Sequence, residues 1–378
     1  MQLLLKCART RIDETTAASI RELAGGEIDW SGLRALAHRH RVMPLLYRSL
    51  YQTCPEIVPE DALATLRQDY HANAARNMYL KQELLKILGW FETAGIQAIP
   101  FKGPILAEQA YDDLALRQMD DLDILIQESD VLKARDLLLA QKFLPEFDDI
   151  VELGDHFLRH EGEYNFFEPV YCILLEIHWK FVPRGFIRGF SLEEEVLDQQ
   201  SPSRHGSAGL PLSLEDNLLV VCTHGSRHAW AGLGAICDVA ELLDNDSPIS
   251  WDRLVKTARQ HNVERMLYLG LELAKKFFDA QIPEGVFRQI EADPTTKRLV
   301  ADVYNNFLLS EHEVLGAIQY SRFQLDLRRE LLDRAGYLMN SLFRPSLNDW
   351  ERVRFPHQLS FLYIILRPLR LLFGKFGR

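Results

Sequence analysis

The sequence predicts an α+β fold in which a small mixed sheet is flanked by N- and C-terminal all-helical segments. Three observations indicate this order. Apolar residues recur at helical spacing through residues 1–93. Residues 94–182 contain short alternating or β-branched stretches bounded by glycine and proline, which is typical of strands and turns. Helical spacing then returns and is regular from Ser213 onward.

A chain of 378 residues is long enough for two or three domains. We expect an N-terminal helical region over residues 1–93, a mixed core over 94–182, a C-terminal helical domain over 183–340 and a basic, apolar tail over 341–378. With 47% hydrophobic and 26% charged residues, the composition is that of a globular protein. Disordered and collagen-like classes are therefore excluded.

The elements of the mixed core follow from local signals. Pro104 suits the first turn of a helix, where its missing N–H has no partner to lose. The segment DLDILIQ alternates acidic and apolar residues as a half-buried strand does, and a break near Glu168 separates two strands as an antiparallel pair. We predict strands at 96–102, 121–127, 156–167 and 170–181, and helices at 103–111 and 129–142.

The C-terminal helical segment opens with a capping box, because Ser213 and Asp216 precede an apolar run at the spacing that caps a helix. Further helices are predicted at 251–261, 265–278, 297–309 and 311–341.

An internal repeat links the two helical segments. At an offset of 221 residues, eight of nine compared positions are identical. The spacing predicts a duplicated helical hairpin whose two helices are separated by a break before Val42 and before Val263. We expect the hairpin to serve packing, with a duplicated substrate-gripping role as the alternative. The first copy comprises Trp30, Leu33, Ala37, His40, Val42, Leu45, Leu46, Tyr47 and Leu50, and the second Trp251, Leu254, Ala258, His261, Val263, Met266, Leu267, Tyr268 and Leu271.

Charge sets the tail apart from the rest of the chain. With 43 basic and 54 acidic residues, the formal charge of −11 disfavours duplex nucleic acid as a partner. Residues 355–378 contain four basic residues and no acidic one. We expect this tail to dock on the protein's own acidic surface or, alternatively, to contact an anionic membrane surface.

The cysteines and the apolar segments indicate in which cellular compartment the protein is expected. Five cysteines are scattered without a CxxC pair, so neither a disulfide framework nor a cysteine zinc site is predicted. The N-terminal apolar run is too short for a signal peptide, and no segment reaches the ~18 apolar residues of a membrane helix. We therefore expect a cytoplasmic protein without a transmembrane segment.

The pair Asp121 and Asp123 is the strongest chemical signal. On a strand these side chains project from one face, about 6.5–7 Å apart. Neighbouring carboxylates beside a core are costly unless a cation offsets them, and carboxylate oxygens suit Mg²⁺ or Mn²⁺ better than zinc. Glu176, an acid within the apolar strand LLEIHW, is the candidate third ligand, and His178 shares its face.

Lys102 and Gly103 form a candidate anion site. A strand that ends in glycine and leads into a helix exposes free backbone N–H groups, and the lysine adds a positive charge. A phosphate cradle beside a carboxylate metal site is what phosphoryl or nucleotidyl transfer requires.

The acidic candidates have structural alternatives. The alternative for Asp121 and Asp123 is that they are solvated acids at the edge of a strand, without a catalytic role. Glu176 alternatively forms a structural pair with His178.

The candidates outside the acidic cluster are less specific. Arg117 either binds phosphate or pairs with an acid. His224 and His228 lie four apart on a predicted helix and fit a structural or substrate-side contact better than a metal site, because no third ligand is evident. Asp238 is expected to pair with one of these histidines or with an arginine.

The string IPFKGPILAEQAYDDLALRQMDDLDILI, followed by LLEIHW, resembles the nucleotidyltransferase superfamily that shares the DNA polymerase β catalytic fold. More narrowly, the pattern Lys-Gly, then Arg, then Asp-x-Asp-hydrophobic is similar to that of a bacterial family of uncharacterised nucleotidyltransferases. This likeness extends to LLVVCTHGSRHAWAGLGAICDVAELL and LYIILRPLRLL, and so to most of the chain. It implies a polymerase β-like core.

The resemblance also implies site roles. It assigns Asp121, Asp123 and Glu176 to catalysis and metal binding, and Lys102 with Gly103 to the nucleotide phosphates. The family's usual Gly-Ser or Gly-Gly is Gly-Pro here, which shifts the expected phosphate contact toward Lys102 and Arg117. We place His178, His224 and His228 on the substrate side.

Together these features predict a nucleotidyltransferase that uses Mg²⁺ or Mn²⁺ and moves an NMP from an NTP to an unknown acceptor. The acceptor is a small molecule, a protein or an RNA end. A non-catalytic nucleotide-binding or assembly protein with this fold is one alternative, favoured by the Gly-Pro departure. A γ-phosphotransferase is the other.

Overall fold

The computed structural model describes residues 1–147, 158, 161–200, 211–308, 316–344, 349, 353, 359 and 362–373. The N-terminal part is helical, as predicted. Asp13 and Asp29 cap two of its helices by accepting hydrogen bonds from Thr16 N (2.7 Å) and Gly32 N (2.9 Å). The helices are α1 (Gln2–Cys7), α2 (Glu14–Ala24), α3 (Trp30–Arg39), α4 (Met43–Thr53) and α5 (Glu60–Thr93).

A mixed sheet follows, with two helices between its strands. Its elements are β1 (Ala98–Phe101), α6 (Gly103–Tyr111), β2 (Asp121–Ile126), α7 (Val131–Ala140), β3 (Leu144–Pro145), β4 (Glu163–Glu168) and β5 (Ile173–His178). The strand order is β1-β2-β5-β4-β3. Strands β2 and β5 are parallel, and the other neighbours are antiparallel.

The predicted α+β class is confirmed, and so is the antiparallel strand pair, formed by β4 and β5. The short strand β3 is an element that the sequence pattern did not predict. The strand predicted over 156–167 begins too early, because β4 starts at Glu163 and the described residues 158, 161 and 162 are not strand. Residue 156 itself lies outside the described part of the chain.

The C-terminal part is helical again, beginning after β5. Its helices are α8 (Leu192–Gln199), α9 (Leu214–Arg227), α10 (Leu233–Leu243), α11 (Trp251–Gln260), α12 (Glu264–Phe278), α13 (Glu284–Glu291), α14 (Pro294–Asp302), α15 (Ala317–Leu327), α16 (Leu331–Phe343) and α17 (Tyr363–Phe373). Ser213 caps α9 as predicted, because its Oγ accepts a hydrogen bond from Asp216 N at 3.1 Å. The hydroxyl in turn donates to Asp216 Oδ2 at 2.6 Å, in place of the reciprocal backbone bond of a full capping box.

The single helix predicted over 311–341 is wrong, because α15 and α16 are separate helices. The chain becomes extended at Arg328, with φ −93° and ψ 125°. There the buried guanidinium lies between the rings of Phe186 and Tyr337, at 4.9 and 4.0 Å from their centroids. Residues 309–315 lie outside the described part of the chain.

The sheet separates two hydrophobic cores. One face of β2 and β5, with Leu122, Ile124 and Leu175, packs with α7 and the C-terminal half of α5. On the other side, Leu125 and Phe101 join a larger core formed by the helices of both termini. Helix α5 has 34 residues, about 51 Å at ~1.5 Å per residue, and contributes to both cores.

The two helical segments share the larger core. Thr10, three residues after the end of α1, donates from its backbone N to Glu241 Oε1 of α10 at 2.9 Å. Cys237 Sγ of α10 lies 3.3 Å from Ala8 O. The domain boundaries predicted at 93, 182 and 340 stay a prediction.

The repeat forms two matching helical hairpins. Helices α3 and α4 make the first, and α11 and α12 make the second. Both turn at a residue with a left-handed backbone, Arg41 (φ 57°) and Asn262 (φ 59°), which occupy equivalent positions.

The tail contributes α17, whose two arginines face inward. Arg367 Nη1 lies 3.1 Å from Asp349 Oδ2, and Arg370 pairs with the same carboxylate. The acidic partner of the tail therefore lies within residues 341–378. Residues 374–378 are outside the described part. Among the described helices, none combines the length and apolarity needed to cross a bilayer.

Close packing of α9 on α12 depends on two glycines around Trp230. This indole is fully buried. A Cβ at Gly225 would lie 2.7 Å from the indole, and one at Gly270 would lie 2.4 Å from Cys222 Sγ and 3.0 Å from the indole. No side chain fits at either position without displacing the core.

We predict that Gly270→Ala lowers the free energy of unfolding by about 1–3 kcal/mol, because the added methyl overpacks the core. Gly89→Ala in α5 is the matched control, since nothing lies within 4 Å of its added Cβ. That variant should be neutral or more stable by ~0.5–1 kcal/mol. Urea unfolding measures both, and equal effects would contradict the packing account.

Candidate functional site

The parallel pairing of β2 and β5 fixes the centre of the site. Its register places Asp123 opposite Glu176 and Leu125 opposite His178. Because strand residues alternate between faces, Asp121 lies on the same face as these polar groups. One ligand atom from each of Asp123, Glu176 and His178 lies within 4.8 Å of the other two. We call these three residues the carboxylate–histidine cluster.

Two cationic groups contact Asp123. Lys102 Nζ lies 2.6 Å from Asp123 Oδ1, and His178 Nε2 lies 3.1 Å from the same oxygen and 3.2 Å from Glu176 Oε2. Burial opposes the imidazolium, but the hydrogen bonds to Asp123 and Glu176 outweigh it and raise the pKa of His178 to about 9.

The pKa values of the two carboxylates of β2 are shifted in opposite directions. Burial would raise the pKa of Asp123, but Lys102 and His178 outweigh it and lower that pKa. The pKa of Asp121 is raised, first by burial and then by the charge of Asp123. Burial likewise opposes the charge on Lys102, yet Asp123 and Asp121 raise the pKa of the ammonium.

A divalent cation fits the carboxylate–histidine cluster. Asp123 is 2% exposed, and its Oδ2 is buried without a hydrogen-bond partner. A buried carboxylate oxygen without a partner is costly, and a cation would satisfy it. Two carboxylates form a donor set that accepts Mg²⁺ and Mn²⁺, and His178 would join it as neutral imidazole, after giving up the proton on Nε2. The sequence had placed His178 on the substrate side, whereas the structure sets it beside both carboxylates.

Lys102 and Gly103, directly after β1, have backbone conformations with positive φ angles. Lys102 has φ 51° and ψ −143°, and Gly103 has φ 40°. Such a conformation costs about 1–3 kcal/mol at a residue with a side chain, and it occurs most often at functional sites. It turns the chain directly into α6, so that the Lys102 side chain reaches Asp123 while the Gly103 N–H begins a helix.

Arg117 lies on another wall of the site, where protein groups hold it. Its Nε and Nη2 donate to Asp238 Oδ1 and Oδ2 at 2.9 and 3.0 Å, and Tyr111 OH donates to Oδ1 at 2.7 Å. Asn77 of α5 donates to the Arg117 carbonyl at 2.7 Å. Asp238 thus pairs with an arginine, one of the two partners expected for it. The acid-pairing alternative for Arg117 is what the structure shows, and its contact with nucleotide stays a prediction.

His224 and His228 lie on and directly after α9, facing the same space. Their ring centroids are 4.5 Å apart. Burial, followed by Arg227, lowers the pKa of His228 to about 4, and burial also lowers that of His224. Both imidazoles are therefore neutral near pH ~7. Neither His224 nor His228 belongs to the carboxylate–histidine cluster that the described residues form.

One cavity of about 420 Å³ is lined by most of these groups, namely Lys102, Arg117, Asp121, Glu176, His178, His224 and His228. Asp123 and Gly103 are not among its lining residues. The cavity extends from the carboxylate–histidine cluster to α9 and to the turn of the first repeat hairpin. Five lysine and arginine side chains line its wall beside the four carboxylates of Asp121, Glu163, Glu176 and Asp238, so the cavity is close to charge balance in a chain of formal charge −11. The lining cations are Arg39, Arg41, Lys102, Arg117 and Arg227.

Sequence reasoning missed part of this wall. Glu163 of β4 lies opposite His178, and its carboxylate is 3.6 Å from His178 Nδ1 and 3.5 Å from Arg227 Nη2. Burial raises the pKa of Glu163, but His178 and Arg227 outweigh it, so the net shift is downward. The strand pattern contained this acid, but only the β4–β5 register shows its neighbour.

The internal repeat contains a sequence signal for two further cavity-lining residues that were not predicted. Arg39 and Arg41 of the first hairpin line the cavity, whereas the equivalent positions of the second hold Gln260 and Asn262. Arginine appears in the one copy that faces the cavity. Comparing the two turns would have singled out both residues.

A family model for uncharacterised nucleotidyltransferases matches residues 26–279. The match covers the sheet, the cavity-lining helices and both repeat hairpins. No curated protein and no solved structure matches the chain.

His40, at the turn of the first hairpin, should make stability depend on pH. It is 1% exposed, neither ring nitrogen has a hydrogen-bond partner, and burial lowers its pKa from 6.5 to about 4. The unfolded chain takes up the proton first, so stability falls as pH drops from about 6.5 to about 4, by up to ~3 kcal/mol.

Chemical unfolding at about pH 7 and about pH 5 tests this. The variant His40→Leu should lose much less stability between the two values than the parent protein. His71→Gln, at an exposed position of α5, is the control and should keep the parent's dependence. An unchanged pH dependence in His40→Leu would contradict the assignment.

Proposed function

The chain belongs to a family of uncharacterised nucleotidyltransferases, and on this basis we propose that it is a Mg²⁺-dependent enzyme that moves an NMP from an NTP to an acceptor. The observation that carries the proposal is the carboxylate–histidine cluster at the edge of a cavity that five lysine and arginine side chains line. Nucleotidyl transfer needs such a pairing of acidic metal ligands with cationic phosphate contacts.

Asp123 and Glu176 would hold the cation, with Asp121 beside them on the same strand face. His178 would orient the two carboxylates as a donor, or ligate through Nε2 once that nitrogen has lost its proton. When bound, Mg²⁺ or Mn²⁺ supplies positive charge that offsets the phosphate charge growing during transfer. The partnerless Asp123 Oδ2 supports this assignment.

Lys102 and Gly103 would contact the phosphates. Lys102 is poised on Asp123, and an ammonium within reach of the cluster binds phosphate as a point charge. Arg117 is held by Asp238, and its Nη1 lies 3.4 Å from Gly103 O. In this position Arg117 would support the turn at Lys102 and Gly103. Pro104 removes one N–H from the start of α6, which leaves more of the phosphate charge to the side chains.

In the transfer, an acceptor oxygen forms a bond to the α-phosphorus. The bond from that phosphorus to the bridging oxygen breaks, and pyrophosphate leaves with its electron pair. The acceptor proton passes to a carboxylate of the site. Neutral His224 and His228 lie on the α9 side of the cavity, where they would contact the acceptor by hydrogen bonds without adding charge.

We predict that Asp123→Asn and Glu176→Gln each reduce pyrophosphate release from NTP by about a thousandfold, ~4 kcal/mol in transition-state stabilisation. Both should also weaken Mn²⁺ binding, measured by electron paramagnetic resonance on the protein alone. Asp136→Asn on α7, an exposed acid on the far side of the sheet, is the control and should change neither readout. Undiminished pyrophosphate release would refute the catalytic assignment.

Lys102→Met should weaken binding of a fluorescent ATP analogue by ~10-fold or more, the worth of one charge-assisted contact. Lys86→Met on α5, a solvent-facing lysine, should bind as the parent does. Mass spectrometry of the reaction products then distinguishes the alternatives. An NMP adduct supports nucleotidyl transfer, a phosphate adduct indicates γ-phosphotransfer, and binding without product indicates a non-catalytic nucleotide-binding protein.

A further inference from the structure

The two copies of the repeat differ at the turn between their helices. Arg39 and Arg41 of the first turn correspond to Gln260 and Asn262 of the second, and both turns have the same left-handed backbone. Asparagine adopts a positive φ more readily than arginine does, so the second copy has the residue that suits this conformation. The first copy has an arginine at φ 57° instead, and residues in such costly conformations cluster at functional sites.

The first turn is fixed against the start of α10. Gly234 N donates a hydrogen bond to His40 O at 2.9 Å. A Cβ at Gly234 would lie 3.2 Å from Arg41 Cβ, so a side chain there would crowd the turn. The backbone that carries Arg39 and Arg41 is therefore held at the wall of the cavity, which both residues line.

Protein acids hold these two arginines less than they hold the other cations of the cavity. Within the described part of the chain, Arg39 has no ion pair, and Arg41 pairs only with Asp120. Both side chains of that pair are more than half exposed, at 53% and 63%, so water screens it. The other lining cations have acidic partners that are at most 27% exposed, which are Asp123 for Lys102, Asp238 for Arg117 and Glu163 for Arg227.

The charges of the cavity favour an anion at the first turn. Four acids line the cavity in the described part of the chain. Two of them lie beside arginines, and the other two, Asp121 and Glu176, lie on the strand face of the proposed cation site. None of the four is left to offset Arg39 and Arg41. Guanidinium groups bind phosphate through paired, charge-assisted hydrogen bonds, so a phosphate group suits this position.

We propose that Arg39 and Arg41 form an anion subsite that takes a phosphate group of a substrate. The proposal rests on the nucleotidyl transfer proposed above, which offers two sources of phosphate. One source is the terminal phosphates of the NTP, and the other is a phosphate group carried by the acceptor. A substrate-gripping role then belongs to one copy of the hairpin alone, because Gln260 and Asn262 carry no charge.

The test variant is Arg39→Gln/Arg41→Asn, which gives the first turn the residues of the second. Because Asn262 already holds φ 59° at the equivalent position, the variant should fold, with a thermal unfolding midpoint no lower than the parent's. Isothermal titration calorimetry on the full chain with Mg²⁺ then uses three probes. They are a non-hydrolysable ATP analogue, AMP, and inorganic phosphate added to the chain saturated with the analogue.

The probes distinguish the two sources of phosphate. If the subsite holds the terminal phosphates of the NTP, the variant should bind the analogue about tenfold or more weakly and AMP as the parent does. If it holds a phosphate of the acceptor, the analogue should bind equally to both proteins. Inorganic phosphate should then bind the saturated parent, and the saturated variant about tenfold or more weakly. Either result supports the subsite.

The matched control is Arg21→Gln/Arg67→Gln, which removes two exposed arginines of α2 and α5 that lie outside the cavity lining. It changes the net charge as the test variant does and should bind every probe as the parent does. An equal loss of affinity in this control would overturn the proposal, because the effect would then come from net charge.

Failure of the subsite is distinct from failure of the proposed function. If the parent binds no nucleotide, nucleotidyl transfer is refuted, and inorganic phosphate is titrated into the nucleotide-free chain. Phosphate binding that Arg39→Gln/Arg41→Asn weakens about tenfold or more would keep the subsite. Equal affinities of the parent and this variant for the analogue and for phosphate, or no binding of either probe to the parent, would overturn it.

Discussion

The balance of charge around Asp123 is the constraint from which the site is built. A carboxylate at 2% exposure is tolerated only if cations and donors surround it. Lys102 and His178 supply them, and the Lys102 backbone takes up a left-handed φ of 51° at the turn from which its ammonium reaches Asp123. His178 then needs its own partners, which are Glu176 and, on the far side of the ring, Glu163.

The walls of the cavity extend this alternation of charge. Arg227 lies near Glu163, and Arg117 is fixed by Asp238 and Tyr111. Each buried charge therefore has an opposite charge beside it, as low-dielectric surroundings require. The result is a site whose positions are fixed before substrate arrives, and in which few groups are free to reorganise.

The sequence was most informative where a pattern is local. Alternation in β2 and β5 placed Asp121, Asp123 and Glu176 on one face, and Pro104 located the start of α6. Contacts between distant segments were not available from such patterns. Arg117 and Asp238 are 121 residues apart, and Glu163 meets His178 only through strand register. The break at Arg328 depends on two rings from other elements, so no helical periodicity could show it.

The shared helical core has a consequence for how the molecule is made. Contacts such as Thr10 with Glu241 join residues 231 apart, so the first helices leave the ribosome long before their partners exist. At synthesis rates of ~5–20 residues per second they wait more than about ten seconds. High contact order of this kind slows folding and leaves apolar helices uncovered meanwhile. Chaperone capture during translation is therefore expected to matter more for this chain than for one whose helical segments fold independently.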